Sequence, residues 1–224
     1  MFNISYPFES KKEQRFHWLV EQLAQTVFST SNQIVVRNRF AVVSEGQWKN
    51  SELCFLDEKQ YSWRGINTVA VLPVGNNMKR QRLLLCKFKE KDGDIASQEI
   101  AKKYVDYQCE MIRMQLIWIE RWISILLDHT AQRKVGNVSL LSISSIRLRL
   151  AQVIQRQLLL FQCVGDIKEE MPSQFAEHAA EEIEGMVDIL IKTTGGRALL
   201  QQGLVEMQSI FSVLNQVYLR EFHG

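Results

Sequence analysis

The sequence predicts an α+β chain, mainly α: a small antiparallel β segment followed by an up-down four-helix bundle. Three observations carry that prediction. Through residues 96–222, apolar side chains recur at three- and four-residue steps in four long stretches, the period of a helix face. Residues 34–91 instead hold short β-branched and aromatic runs between turn formers. The connections between the helical stretches are short, which favours antiparallel neighbours.

The first element is a helix over Ser10–Ser29, with Trp18, Leu19, Leu23 and Val27 on one face. The stretch 29–33 reads STSNQ and ends it, because Ser, Thr and Asn compete with the backbone for hydrogen bonds. Strand-like runs follow at Ile34–Val36, Phe40–Val43, Leu53–Leu56, Thr68–Val74 and Arg82–Phe88. The last two flank Gly75-Asn76-Asn77 and read as a hairpin. The first bundle helix covers Ala96–Thr130, with Met111, Met114, Ile117, Trp118, Trp122, Ile125 and Leu126 in register. The second covers Ser139–Val164, with Ile146, Leu150, Val153, Ile154, Leu158 and Phe161. Pro172 opens the third, which Gly195-Gly196 closes. Its acidic residues Glu177, Glu181, Glu182 and Glu184 read as a solvated face. The fourth runs from Arg197 or Leu200 to Phe222. Three segments follow: an N-terminal helical segment 1–33, a small β-rich segment 34–94 and the bundle 95–224.

Composition narrows the function. With 46% hydrophobic and 23% charged residues, the 224-residue chain can bury a core without disulfide or metal staples. A net charge of +2 argues against nucleic-acid binding, and Lys79, Arg80 and Arg82 read as a solvated turn. Cys54, Cys86, Cys109 and Cys163 form no CxxC pair, and the four histidines no helical i, i+4 pair, so no metal site is expected. The longest apolar stretch, Met111–Leu127, is broken by Arg113, Glu120 and Arg121, which argues against a membrane span. The first residues lack the apolar core of a signal peptide. A soluble, cytoplasmic protein is the resulting expectation. Ser142, Ser144 and Ser145 have no adjacent base, so no nucleophilic serine is expected.

Two motif sets go further. Gly195-Gly196 is followed by Val205-Glu206 and then by Gln216-Val217-Tyr218. Gln132-Arg133-Lys134 is followed by Leu150-Ala151-Gln152. Both fall at helix junctions, and in that arrangement the bundle resembles the C-terminal domain of acyl-CoA dehydrogenases. The resemblance covers about Ala96–Phe222; segment 34–91 is similar to the family's middle β-domain only in position and character. It implies subunits joined through their bundles, and FAD between β-domain and bundle. It also implies an Arg turn and a GG loop that reach the diphosphate side of a neighbouring subunit's flavin. Arg133, Gly195 and Gly196 are therefore the cofactor-binding candidates. Guanidinium is a fixed charge with a fork suited to phosphate, and glycine lets backbone N–H groups approach a ligand.

The departures concern chemistry. The family's Phe-Gly in the Arg turn is here Gly136-Asn137. Its flavin-contacting glutamine falls at Ser144, the glutamine before the GG loop at Lys192, and an Arg-Asp pair at Ile210-Phe211. The carboxylate that takes the substrate's α-proton in many members falls at Leu219. Dehydrogenation of an acyl thioester needs a base at the α-carbon while flavin accepts hydride from the β-carbon, and leucine accepts no proton. Glu221 is turned roughly 200° around a helix from that position. Some members carry the base on the first bundle helix, where Glu110 and Glu120 lie. The resemblance thus implies no assigned catalytic residue, with Glu221 and Glu120 as weak candidates. Three readings stand: a non-catalytic partner subunit of a flavin-dependent acyl-CoA dehydrogenase, sharing FAD with a full-length partner in a homo- or hetero-oligomer; an active FAD-dependent acyl-thioester dehydrogenase with an atypical base; and a structural or adaptor bundle.

Overall fold

The computed structural model describes residues 16–50, 53–56, 59–62, 68–88, 98–167, 170–195 and 203–220. Helix α1 (Phe16–Phe28) packs on the long helices through the fully buried Leu19 and Leu23. The expected start at Ser10 lies outside the described residues. Ser29, at φ +62, follows the helix end and turns the chain into the β segment.

Its described residues form six strands: β1 (Ile34–Val36), β2 (Phe40–Ser44), β3 (Leu53–Leu56), β4 (Lys59–Ser62), β5 (Thr68–Leu72) and β6 (Leu83–Phe88). They form two three-stranded sheets, β1-β3-β4 and β2-β6-β5. The β2-β6-β5 sheet is antiparallel, and the hairpin read from Gly75-Asn76-Asn77 is present as β5–β6, carrying the short helix α3 (Asn76–Arg80) in its turn. Three points differ from expectation, the first being β4, which is not among the five runs read as strands. The strands divide between two sheets, and β1 pairs with β3 in parallel, Ile34 opposite Cys54. Strand pairing depends on residues far apart in sequence, so short runs alone leave it open. Along β1, β2 and β6 side chains alternate. Val35 and Val42 face the long helices; Ile34, Val36, Ala41, Val43, Cys86 and Phe88 form a second cluster behind.

The stretch around Gly46, expected as a turn, is helix α2 (Glu45–Asn50). Its start is a capping box. Ser44 Oγ accepts the Gln47 N–H at 3.0 Å, and Gln47 Oε1 accepts the Ser44 N–H at 3.1 Å. The amide of Gln47 then donates to the carbonyls of Ser31 and Gln33, tying the segment to the end of α1.

Four long helices complete the chain: α4 (Gln98–Gln132), α5 (Ser144–Asp166), α6 (Ser173–Thr194) and α7 (Leu204–Tyr218). Cross-helix bonds set their directions. Arg113 reaches the Val164 carbonyl and Gln157 that of Leu116, so α5 runs antiparallel to α4. Gln108 meets Tyr218 and Gln115 meets Asn215, so α7 does too. The six-residue link 167–172 spans at most about 20 Å, shorter than the roughly 33 Å of α6, which makes α6 antiparallel to α5. Pro172 precedes α6 as its N-cap instead of entering the first turn.

The core is continuous: α1, one face of the strands and all four helices contribute to it. Helix α7 is the most deeply seated, and α6 buries Ala176, Ala179, Ala180, Ile183, Met186, Val187 and Leu190. The small residues of α6 let neighbours approach closely. The solvated reading of its acidic side therefore needs correction at two residues. Glu184 bonds Arg220 at 2.7 Å, and Glu182 pairs with Arg156 at 3.7 Å. Two apolar positions assigned to helix core faces are also exposed: Ile125 at 42% and Leu158 at 65%.

Candidate functional site at the two ends of the bundle

The residues singled out from sequence fall at opposite ends of the helices. Helix α4 ends at Gln132, and the chain turns through the ribbon β7 (Lys134–Val135) and β8 (Val138–Ser139). Between them Gly136 takes φ +62, placing glycine first in a two-residue hairpin turn. The Arg133 N–H bonds the His129 carbonyl and its own carbonyl accepts the Leu140 N–H, so the backbone is fixed while the side chain is exposed. Val135 and Val138 beside it also face solvent.

Gly195 caps α6 at φ +63, ψ −138, a conformation that only glycine adopts at little cost. Among the described residues, nothing lies within 4 Å of where its Cβ would be. Gly196 lies outside the described residues. Because α4 and α6 run in the same direction, Arg133 and Gly195 share one end of the bundle. Gln115 and Glu184 both bond Asn215 and mark one level. From that level, Arg133 stands about 27 Å along the axis and Gly195 about 17 Å. Both residues are exposed.

The other end is built around Tyr218. Its hydroxyl accepts the Val42 N–H at 3.0 Å and donates to the Val35 carbonyl at 3.0 Å. The strands β1 and β2 meet through Arg37 and Phe40, which exchange both backbone bonds across a turn with Asn38 and Arg39 at positive φ. In a regular hairpin the next bonded pair would be Val35 and Val42. Tyr218 stands between them instead, and its hydroxyl relays the missing bond. The Tyr218 carbonyl, at the end of α7, accepts from Arg37 Nη1, from Gln108 Nε2 at 2.7 Å and from the Tyr104 hydroxyl at 3.5 Å. A cation there also complements the helix dipole. The Tyr107 ring packs edge-on, 5.4 Å away. Burial pushes the phenols of Tyr218 and Tyr107 well above their ordinary pKa, so both stay neutral.

Leu219 follows, fully buried in the main core. Glu120 is exposed on α4, Glu110 pairs with Arg113, and Glu221 lies outside the described residues. Ile210 and Phe211 are fully buried, Ser144 is exposed, and Lys192 pairs with Asp188 at 2.6 Å. Glu206 has a structural task. Buried in the first turn of α7, it accepts Gln81 Nε2 at 2.9 Å, while Asn77 donates to Ser209 at 3.1 Å, and together they dock α3 on α7. Sequence reasoning missed that anchor and the Gln115–Asn215–Glu184–Arg220 chain of bonds, whose partners are widely separated along the sequence. It also missed the capping box, which Ser44 and Gln47 at N-cap spacing could have revealed. Among the described residues, no group of histidine, cysteine or carboxylate side chains is placed to hold a metal. None of the described helices is long and apolar enough to cross a membrane.

A helical bundle packed on small β sheets, with the last helix anchored in them, defines the class: a mainly α-helical α+β fold. More narrowly, it is an acyl-CoA dehydrogenase-like fold. Butyryl-CoA dehydrogenase from Megasphaera elsdenii superposes with a TM-score of 0.57 at 10% identity, over 84% of this chain and 59% of that one. A glutaryl-CoA dehydrogenase from Mycobacterium smegmatis, solved with FADH2, gives 0.56 at 9% identity over 84% and 58%. The prolyl acyl carrier protein oxidase AnaB gives 0.58 at 9% over 84% and 60%. The chain thus spans about three-fifths of the length of these proteins. No protein-family model matches the sequence, and no curated protein does.

Proposed function

We propose that this chain is a non-catalytic partner subunit of an FAD-dependent acyl-CoA dehydrogenase assembly. One observation carries the reading: Leu219, aligned with the proton-abstracting carboxylate of the family it resembles, is an apolar side chain with no solvent exposure. Around it, Arg37, Gln108 and Tyr104 direct their donors to the Tyr218 carbonyl. The end of α7 latches the β segment, and among the described residues Leu219, not a carboxylate, follows Tyr218.

Distance supports sharing of the flavin. Tyr218 is level with Gln108, which puts Arg133 about 37 Å away along α4. One chain does not bring Arg133, Gly195 and the end of α7 to a single acyl–flavin pair. Docked against a full-length partner, Arg133 and Gly195 would touch the phosphate side of the partner's FAD, with Val135 and Val138 as apolar contacts. FAD, when bound, supplies the hydride acceptor; this chain supplies charge and shape.

The test is spectroscopic. Expressed alone, the chain should be colourless and should fail to reduce an electron acceptor with acyl-CoA. Co-expressed with a full-length acyl-CoA dehydrogenase from the same source, it should co-purify in a yellow complex. Arg133→Ala should weaken flavin retention there. A yellow homo-oligomer of this chain that dehydrogenates acyl-CoA refutes the proposal. In that case the atypical-base reading holds, and Glu221→Gln and Glu120→Gln identify the base. A plain adaptor is distinguished by the lack of any flavin-containing partner.

A further inference from the structure

The tip formed by the β7–β8 ribbon and the start of α5 is both apolar and cationic. Ala131 to Val138 are all exposed. Val135 and Val138 pair across the ribbon turn, so their side chains share one face, with Arg133 two residues back on the same face. They are 64% and 53% exposed. The 3-10 turn Leu140–Ser142 leads from the ribbon into α5, where Ile143 and Leu148 are 37% and 61% exposed. Four of the eight large apolar residues exposed among the described residues thus fall between Val135 and Leu148. Single exposed apolar residues are ordinary; a cluster at one tip marks a contact surface.

Charge surrounds the cluster with one sign. Arg133, Lys134, Arg147 and Arg149 are exposed, and none is ion-paired among the described residues. Arg147 stands one turn from Ile143. No Asp or Glu occurs between Asp128 and Asp166, and Asp128 lies a turn before the end of α4. The pair Arg156–Glu182 sets α5 against α6 and puts Arg147 level with the end of α6, where Lys192 already neutralises Asp188.

We propose that this tip docks the chain on an anionic lipid bilayer. Val135, Val138, Ile143 and Leu148 enter the boundary between headgroups and acyl chains, and the four cations meet lipid phosphates. A bilayer rewards both features at once, by removing apolar tips from water and by attracting basic residues. Long Arg and Lys stems let the charge stay at the phosphates while the valines sit deeper. A nucleic acid would reward the cations alone, and no aromatic residue between Ala131 and Arg149 could stack on a base. The chain lies on the membrane by its tip, since none of the described helices is long and apolar enough to cross one. The inference does not rest on the flavin reading. A full-length partner covering the ribbon would compete with the bilayer, so the chain alone is the object to test.

Flotation of the purified full chain tests it, with vesicles of phosphatidylcholine alone or with about one-third phosphatidylglycerol. The chain should float with the anionic vesicles at low salt, stay behind with the neutral ones, and come off as salt rises towards about 0.5 M. Val135→Asp with Val138→Asp should lower the partition about tenfold or more, and Arg147→Glu with Arg149→Glu should do the same. Circular dichroism should stay unchanged in both, because all four side chains are exposed. Leu158→Asp, an exposed position away from the tip, should leave the partition unaltered. No binding to anionic vesicles, equal binding to neutral ones, or binding that the tip variants leave intact overturns the inference. So does a nucleic-acid duplex that binds the chain more tightly than the anionic vesicles do.

Discussion

The Tyr218 hydroxyl is the smallest group on which the junction of strands and helices depends. Tyr218→Phe keeps the ring, its edge contact with Tyr107 and the neighbouring Leu219, and removes only the oxygen. Two buried backbone groups then lose a partner, the Val42 N–H and the Val35 carbonyl. Each unsatisfied buried group costs about 1–3 kcal/mol. The pair would close directly only if β1 and β2 moved together, yet β1 is held by β3 in one sheet and β2 by β6 in the other. The expected loss is therefore about 2–4 kcal/mol, read from urea unfolding at neutral pH by far-ultraviolet circular dichroism. Amide exchange at Val42 should accelerate in parallel. A loss below about 0.5 kcal/mol, with Val42 still protected, would mean that the strands close on each other and that the hydroxyl is no wedge.

Ser44→Ala removes the capping box of α2 and the 2.5 Å bond to Glu21, and should cost about 1–2 kcal/mol in the same assay. Leu219→Glu, which puts a carboxylate where the resemblance places the family's base, should destabilise the chain by about 3 kcal/mol or more and produce no acyl-CoA dehydrogenation in the isolated chain; turnover at the wild-type melting temperature would contradict this. Alkaline pH should weaken the fold. Burial raises the thiol of Cys86 to about 12 and that of Cys109 to about 11. Above the ordinary thiol value of 9.0 the unfolded chain releases these protons and the folded chain keeps them. Stability is thus complete below pH 9 and falls as pH rises towards 11, by about 1.4 kcal/mol per unit for each thiol; urea midpoints at pH 8 and 10.5 measure it.

Periodicity located the four long helices because each buries one stripe, and a stripe of 3.6-residue period is written locally. Helix α4, expected over Ala96–Thr130, spans Gln98–Gln132; α5, expected over Ser139–Val164, spans Ser144–Asp166. The β5–β6 hairpin was legible for the same reason, since its two runs flank one turn. Leu158 shows where periodicity stops: a helix can carry two apolar stripes, and nothing local tells which one meets the core. Arg133 and Gly195 were also legible as junction residues, since cations and glycine belong at helix ends.

What the sequence by itself determined is the five longer helices, five of the six strands of the β segment, their order and the absence of charge or cysteine patterns that would demand another fold; β4, α2, α3 and the β7–β8 ribbon it did not show. Only the tertiary structure decided that β1 and β2 enter different sheets, that Glu184 faces Arg220, and that Tyr218 enters the gap between Val35 and Val42. Those outcomes join residues separated by 183, 176 and 36 positions. A local pattern reports which face of an element is apolar; it holds no information about which distant donor will fill a gap between two strands.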